Sequence, residues 1–160
     1  MNRMNWFFSL LVMASMNGIL LGQENDSVDA KVQALFQQFE SQNRERKFEA
    51  ANATLGKALE LKDVPTLNYL RGRVQFRLGE FADSVKSFDA YVKAVPKAES
   101  RQWERGISMY YAKQYKRGAE QFELYQTFHD QDVENSVWRF LCMVPETGVK
   151  KARAVMLPIE

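Results

Sequence analysis

Tyr69-Leu70-Arg71-Gly72-Arg73-Val74-Gln75-Phe76 is answered 34 residues later by Trp103-Glu104-Arg105-Gly106-Ile107-Ser108-Met109-Tyr110. Arginine and glycine coincide, and the flanking aromatic positions stay aromatic. The register carries on through Phe81, Phe88 and Tyr91, which are matched by Tyr115, Phe122 and Tyr125. A period of that length with glycine and aromatic landmarks marks an array of helix-turn-helix units, each burying its apolar face only by stacking on a neighbour. Phe88 and Phe122 hold the same place in successive units and are expected in the core, facing the partner helix.

Working outward, Asp63-Val64-Pro65 punctuates a boundary, because proline lacks a backbone donor and pushes the preceding residue out of the helical region. A helix is expected from about Thr66, with Leu67, Leu70, Val74 and Leu78 on one side and a left-handed end at Gly79. Phe81, Val85, Phe88 and Val92 mark its return helix, closed by Pro96. The next unit is expected from about Ser100 to Asp130, turning at Lys113-Gln114. Before these, Val32, Leu35, Phe36 and Phe39 form one helical stripe, and a polar break at 41–47 leads to Phe48, Ala51, Leu55, Ala58, Leu59 and Leu61. After them come Val137, Trp138, Leu141 and Cys142, a break at 145–148, and a return through Val149, Ala152, Val155 and Met156. The repeat domain is thus expected over 29–157, with 158–160 as a tail. The last unit has no polar outer face, so the array is either a fragment or covers that face with another chain.

The 160 residues are 46% apolar and 12% aromatic, enough for one sizeable core. A net charge of +2 gives no electrostatic footprint for nucleic acid. A single cysteine, Cys142, excludes an intrachain disulfide, and a single histidine, His129, leaves no His-based catalytic or metal constellation. No nucleophile-base pair, phosphate loop or metal spacing is present, so neither an enzyme nor a cofactor protein is expected. The run His129-Asp130-Gln131-Asp132-Val133-Glu134 reads as acids capping a helix start rather than as metal ligands. Cys142, beside Trp138 and Leu141, reads as a buried small hydrophobe.

Residues 1–22 read as a signal peptide: Arg3, then an apolar stretch from Trp6 to Leu21, then Gly22 before the polar residues 23–28, expected as an unstructured lead-in. The alternative is an uncleaved anchor through 6–21, a segment short of the roughly 20 residues that span a bilayer. An exported protein, periplasmic or secreted, is expected, with membrane contact only if that segment is retained.

The landmarks resemble the tetratricopeptide repeat: Gly72, the turn Gly79-Glu80-Phe81, Ser84, Phe88 and Pro96 in one unit, and Gly106, Tyr115, Gly118 and Phe122 in the next. The stretches from Trp103 to Tyr111 and from Asp132 to Cys142 are similar to exported bacterial tetratricopeptide proteins. That group is related to an outer-membrane lipoprotein adaptor, whose lipid-bearing cysteine this chain lacks. The resemblance implies an all-α, right-handed α-solenoid of about three and a half repeats, acting as a non-catalytic scaffold for a protein or peptide partner. The alternative is a structural subunit docked through its C-terminal face into an oligomer or envelope complex, a homo-oligomer included.

In that family, certain positions of the first helix of each unit line a concave groove. Carried onto this chain they are Thr66, Tyr69, Arg73, Phe76 and Arg77, then Ser100, Trp103, Ile107, Tyr110 and Tyr111. Spacings of four, seven and eight put each set on one helical face whatever the family. Tyr69, Arg73, Phe76, Arg77, Trp103, Ile107, Tyr110 and Tyr111 are therefore the expected partner-binding residues, with Trp103 and Arg73 foremost. Tyr69 and Trp103 stand where a carboxylate clamp would place polar groups, so stacking and guanidinium contacts are expected instead.

Overall fold

The structure is a computed structural model that describes the backbone of residues 7–158 and the side chains of residues 26–158. Its helices are α1 (Phe7–Arg44), α2 (Phe48–Leu61), α3 (Pro65–Leu78), α4 (Phe81–Ala94), α5 (Trp103–Tyr111), α6 (Tyr115–Gln126), α7 (Val133–Thr147) and α8 (Val149–Ala154), with a 3-10 segment at Pro96–Arg101. Consecutive helices pack in pairs, and each pair packs on the next, giving three full units and a fourth with a short return helix. There are no strands among the described residues.

The turns inside the pairs share one chemistry. At Gly79 (φ 78°) the amide of Gly79 bonds the Phe76 carbonyl, and the amide of Glu80 bonds that of Gln75, at 3.1 and 2.9 Å. This pair of bonds satisfies the orphan carbonyls of a helix end and needs a left-handed residue. The same two bonds recur at Arg46 and at Lys113, both at φ 58°. The left-handed residue therefore returns at spacings of 33 and 34, with glycine at only one of the three. The expected turn at Lys113-Gln114 is this one.

Two boundaries differ from expectation, and a third is met at its far end. The polar stretch 23–28 is not an unstructured lead-in but part of α1, since no proline or glycine interrupts 23–44. The third unit begins at Trp103 rather than near Ser100, because Pro96 starts a 3-10 segment that uses up the intervening residues. The break expected at 145–148 falls at Gly148, the last of those residues, and α7 passes through Pro145. It runs to Thr147 and ends at Gly148 (φ 80°), so Pro145 costs it one hydrogen bond late in the helix. The side chains of the expected targeting segment, residues 1–22, and the end of the expected tail, residues 159–160, lie outside the described residues. No helix among the described residues is long and apolar enough to cross a membrane.

Phe88 and Phe122 are fully buried, as their shared register predicts. Each lies over a glycine of the first helix of its unit. A Cβ on Gly72 would meet the Phe88 ring at 3.1 Å, and one on Gly106 would meet Phe122 Cζ at 2.7 Å. The repeated glycine therefore lets a ring sit against helix backbone. The small residue of the return helix allows the next unit in: Ser84 Oγ bonds the Gly72 carbonyl (2.8 Å) and lies 2.9 Å from Ser108 Oγ, while Gly118 in the next unit leaves room for Cys142.

A second repeated element runs between units. Arg71, Arg105 and Arg139, spaced by 34, each reach back to the return helix of the preceding unit: Arg71 to Asn52 (3.1 Å), Arg105 to Asp89 (2.7 Å) and Arg139 to Glu123 (3.4 Å). Arg105 is the most enclosed, 8% exposed, and also binds Glu99 (3.0 Å) and Gln121 (2.6 Å). Arg117 grips the other oxygen of Asp89 at 2.7 Å. The arginines thus clip successive helix pairs together, and the middle clip is the strongest because it joins two carboxylates and a buried amide.

Candidate functional site

The first helices of the units, α3, α5 and α7, lie side by side, and on them the expected binding residues sort into three environments. Phe76, Tyr110 and Tyr111 join a run of rings: Phe76 meets Tyr111 at 6.3 Å between centroids, Tyr111 stacks on Phe81 at 4.6 Å, and Tyr110 meets Trp138 at 5.6 Å. Tyr111 is exposed, whereas Phe76 and Tyr110 are half-buried and pack against the Ile107–Phe122–Cys142 core cluster. Tyr69, Arg73 and Glu104 form a polar knot. Arg73 Nε donates to Glu104 Oε1 (2.8 Å), the Tyr69 hydroxyl donates to Glu104 Oε2 (3.1 Å), and the Arg73 guanidinium lies 5.7 Å from the Tyr69 ring centre. Burial and the Glu104 charge raise the Tyr69 pKa, so the phenol keeps its proton and remains the donor. Arg77 points the other way, bonding Asn43 Oδ1 (2.9 Å) with its guanidinium over the Phe48 ring.

Ile107 departs from its expected place. It is 8% exposed, inside the cluster with Phe122 and Cys142, so it supports the face from behind. Ser100 lies in the 3-10 segment and is outside the helical register. Trp103 is 46% exposed at the first position of α5 and borders a pocket of about 100 Å³ with Phe122, Tyr125, Asp132, Glu134, Asn135 and Trp138. Trp138, absent from the expected set, touches both this pocket and the ring run through Tyr110 and Tyr111. It stands 35 residues after Trp103 rather than 34, so the repeat register hides it.

Asp132 is the cap expected from its sequence: its Oδ1 accepts from the amides of Glu134 (2.9 Å) and Asn135 (3.2 Å). Asn135 is 3% exposed and donates through Nδ2 to the Phe122 carbonyl (3.1 Å) and Gln126 Oε1 (2.9 Å). Because a main-chain carbonyl can only accept, that end of the carboxamide must be the nitrogen. The oxygen at the other end is buried with no partner among the described residues. Burial and the Asp132 carboxylate raise the Tyr125 pKa beside it.

Cys142 is buried, and burial pushes its thiol from an ordinary 9.0 to about 12. Only the thiolate is nucleophilic, so the native protein at pH 8 should resist iodoacetamide while urea-unfolded protein is alkylated readily. Equal alkylation rates would place the thiol at the surface. The folded thiol holds its proton to higher pH than the unfolded one, so this contribution to stability is intact below pH 9.0 and is lost as pH rises toward 12.

No protein-family model matches the chain, and no curated protein matches it. Among solved structures it is similar to MamA, residues 41 to end, from Desulfovibrio magneticus RS-1, with a TM-score of 0.67 and 16% identity over 94% of this chain and 92% of that one. It is also similar to the MamA RS-1 ArsTM double mutant, with a TM-score of 0.67 and 18% identity over 77% of this chain and 70% of that one. The likeness carries the fold: an all-α, right-handed solenoid of tetratricopeptide-like helix pairs.

Proposed function

We propose that this solenoid is a non-catalytic adaptor that binds a protein or peptide partner across the face formed by α3, α5 and α7. The observation that carries the reading is the run of rings from Phe76 through Tyr111 and Tyr110 to Trp138, continued by the exposed Trp103. Large rings with polar edges dominate binding hot spots, because they offer contact area at low entropic cost. Tyr69 and Arg73 edge the face with donors and Ile107 backs it, while Arg77, turned toward Asn43 and Phe48, stands apart from it. The balanced charge favours protein over nucleic acid.

Trp103→Ala should weaken binding to a purified partner by about 2 kcal/mol, roughly thirtyfold, with little change in melting. Arg73→Ala should cost less, because Glu104 already engages the guanidinium. Partners would be cross-linked in native extracts and titrated against both variants. Full affinity in two folded variants sinks the reading.

The adaptor is proposed to act in the cell envelope or the secreted space, with 1–22 as a cleaved signal peptide. Intact mass of protein from native cells should then begin near Gln23. Met1 retained in the membrane pellet would favour an anchor through 6–21.

A second reading rests on a different observation. Val133, Val137, Val149, Val155 and Met156 are all exposed on α7, α8 and the residues just after it, an apolar surface suited to permanent docking into an oligomer or larger complex. A tight oligomer by solution mass would favour that reading, and a monodisperse monomer the groove.

A further inference from the structure

We propose that the pocket between α5, α6 and α7 takes a cationic side chain, lysine or arginine, from the protein partner. The inference rests on the adaptor reading and names the chemistry of one part of its face. Three features of the pocket converge. Trp103 and Trp138 supply two indole rings, the best faces for a cation. Asp132 and Glu134 supply carboxylates, of which Asp132 spends one oxygen on capping α7 while the exposed Glu134 has no ion-pair partner among the described residues. Asn135, whose buried carboxamide oxygen has no partner among the described residues, also lines the pocket.

The volume separates a ligand from a water. About 100 Å³ is several times the roughly 10–15 Å³ that one water requires on the same measure. Charge then selects the ligand's sign. The first turns of α5 and α7 bring partial positive charge, but Asp132 caps the latter, and the last turn of α6, where Tyr125 stands, contributes the opposite sign. Two full carboxylate charges outweigh those partial ones, so an anion is rejected and a cation is drawn in. No lysine or arginine among the described residues lines the pocket.

The test needs no partner. Nitrogen-15-labelled full chain, with the indole signals of Trp103 and Trp138 assigned, is titrated with N-acetyl-lysine methylamide, the arginine analogue, and the uncharged norleucine and acidic glutamate analogues. The expected result is saturable shifts at both indoles and at the Asn135 carboxamide with lysine or arginine only, with dissociation constants on the order of millimolar. Glu134→Gln and Trp103→Ala both alter exposed residues, so each should stay folded, and each should weaken the cationic probe by about tenfold. Equal binding of norleucine, binding of glutamate, or no saturable shift with any probe overturns the proposal. Loss of partner binding in Trp103→Ala but not in Glu134→Gln would overturn the cationic pocket while leaving the adaptor reading intact. A probe that binds as expected while the purified partner ignores both variants would overturn the proposal that this partner fills the pocket.

Discussion

Phe122→Ala should lower the unfolding free energy by about 3–5 kcal/mol, the largest effect expected of any single truncation here. The ring is 1% exposed, lies over the backbone of Gly106, and stacks on Trp138 at 6.3 Å with 15° between planes. It therefore belongs to two units at once, and its loss should loosen α7 as well as the α5–α6 pair. Stacked repeats share their interfaces, so the transition should broaden as well as shift. Urea unfolding followed by far-ultraviolet circular dichroism, with the exposed Lys116→Ala as control, measures this. A midpoint no lower than the control would mean that Phe122 does not fill that interface. A reciprocal check uses the glycine. Gly106→Ala should destabilise the native chain, because its methyl would stand 2.7 Å from Phe122 Cζ, and should cost much less when Phe122 is already alanine.

Arg105→Ala is expected to cost about 2–3 kcal/mol. Breaking a buried ion pair leaves its partners uncompensated, at up to about 5 kcal/mol, but water reaches Asp89 and Glu99, which places this case lower. Gln121 is worse placed: it is buried and would lose the donor to its Oε1. Arg71→Ala should cost distinctly less, since its partner Asn52 is neutral and its guanidinium lies over Gly56, the position 33 before Asp89 where no carboxylate stands. Raising the salt concentration should narrow the difference only slightly, because enclosed pairs are weakly screened. Equal losses at Arg71 and Arg105, measured by the same urea titrations, would show that the carboxylates around Arg105 contribute nothing.

The helix pairs were legible because their signals are local. Proline at 65 and glycine at 79 act within one unit, Phe88 and Phe122 each hold the same place in their own unit, and each reappears in the structure where the sequence places it. The boundary misses were also local in cause. Pro96 redirected the chain into a 3-10 segment, which moved the start of the third unit to Trp103, and the absence of proline and glycine from 23–44 let α1 run through the polar stretch 23–28. The arginine clips lay in plain view at spacings of 34, but only distances show that all three reach back one unit.

Residue spacing alone was enough for the period, the helix-turn-helix units, the buried rings and the helical face on which Tyr69, Arg73, Trp103 and Tyr111 fall, because hydrophobic periodicity and backbone stops are properties of single helices. It took the packing of α5 against α6 and α7 to put Ile107 inside, to tie Arg73 to Glu104, and to bring Trp103, Trp138, Asp132, Glu134 and Asn135 around one pocket. Those outcomes depend on the angle and offset at which one helix pair meets the next. That geometry is set jointly by many side-chain contacts across the interface, and no spacing within a single helix encodes it.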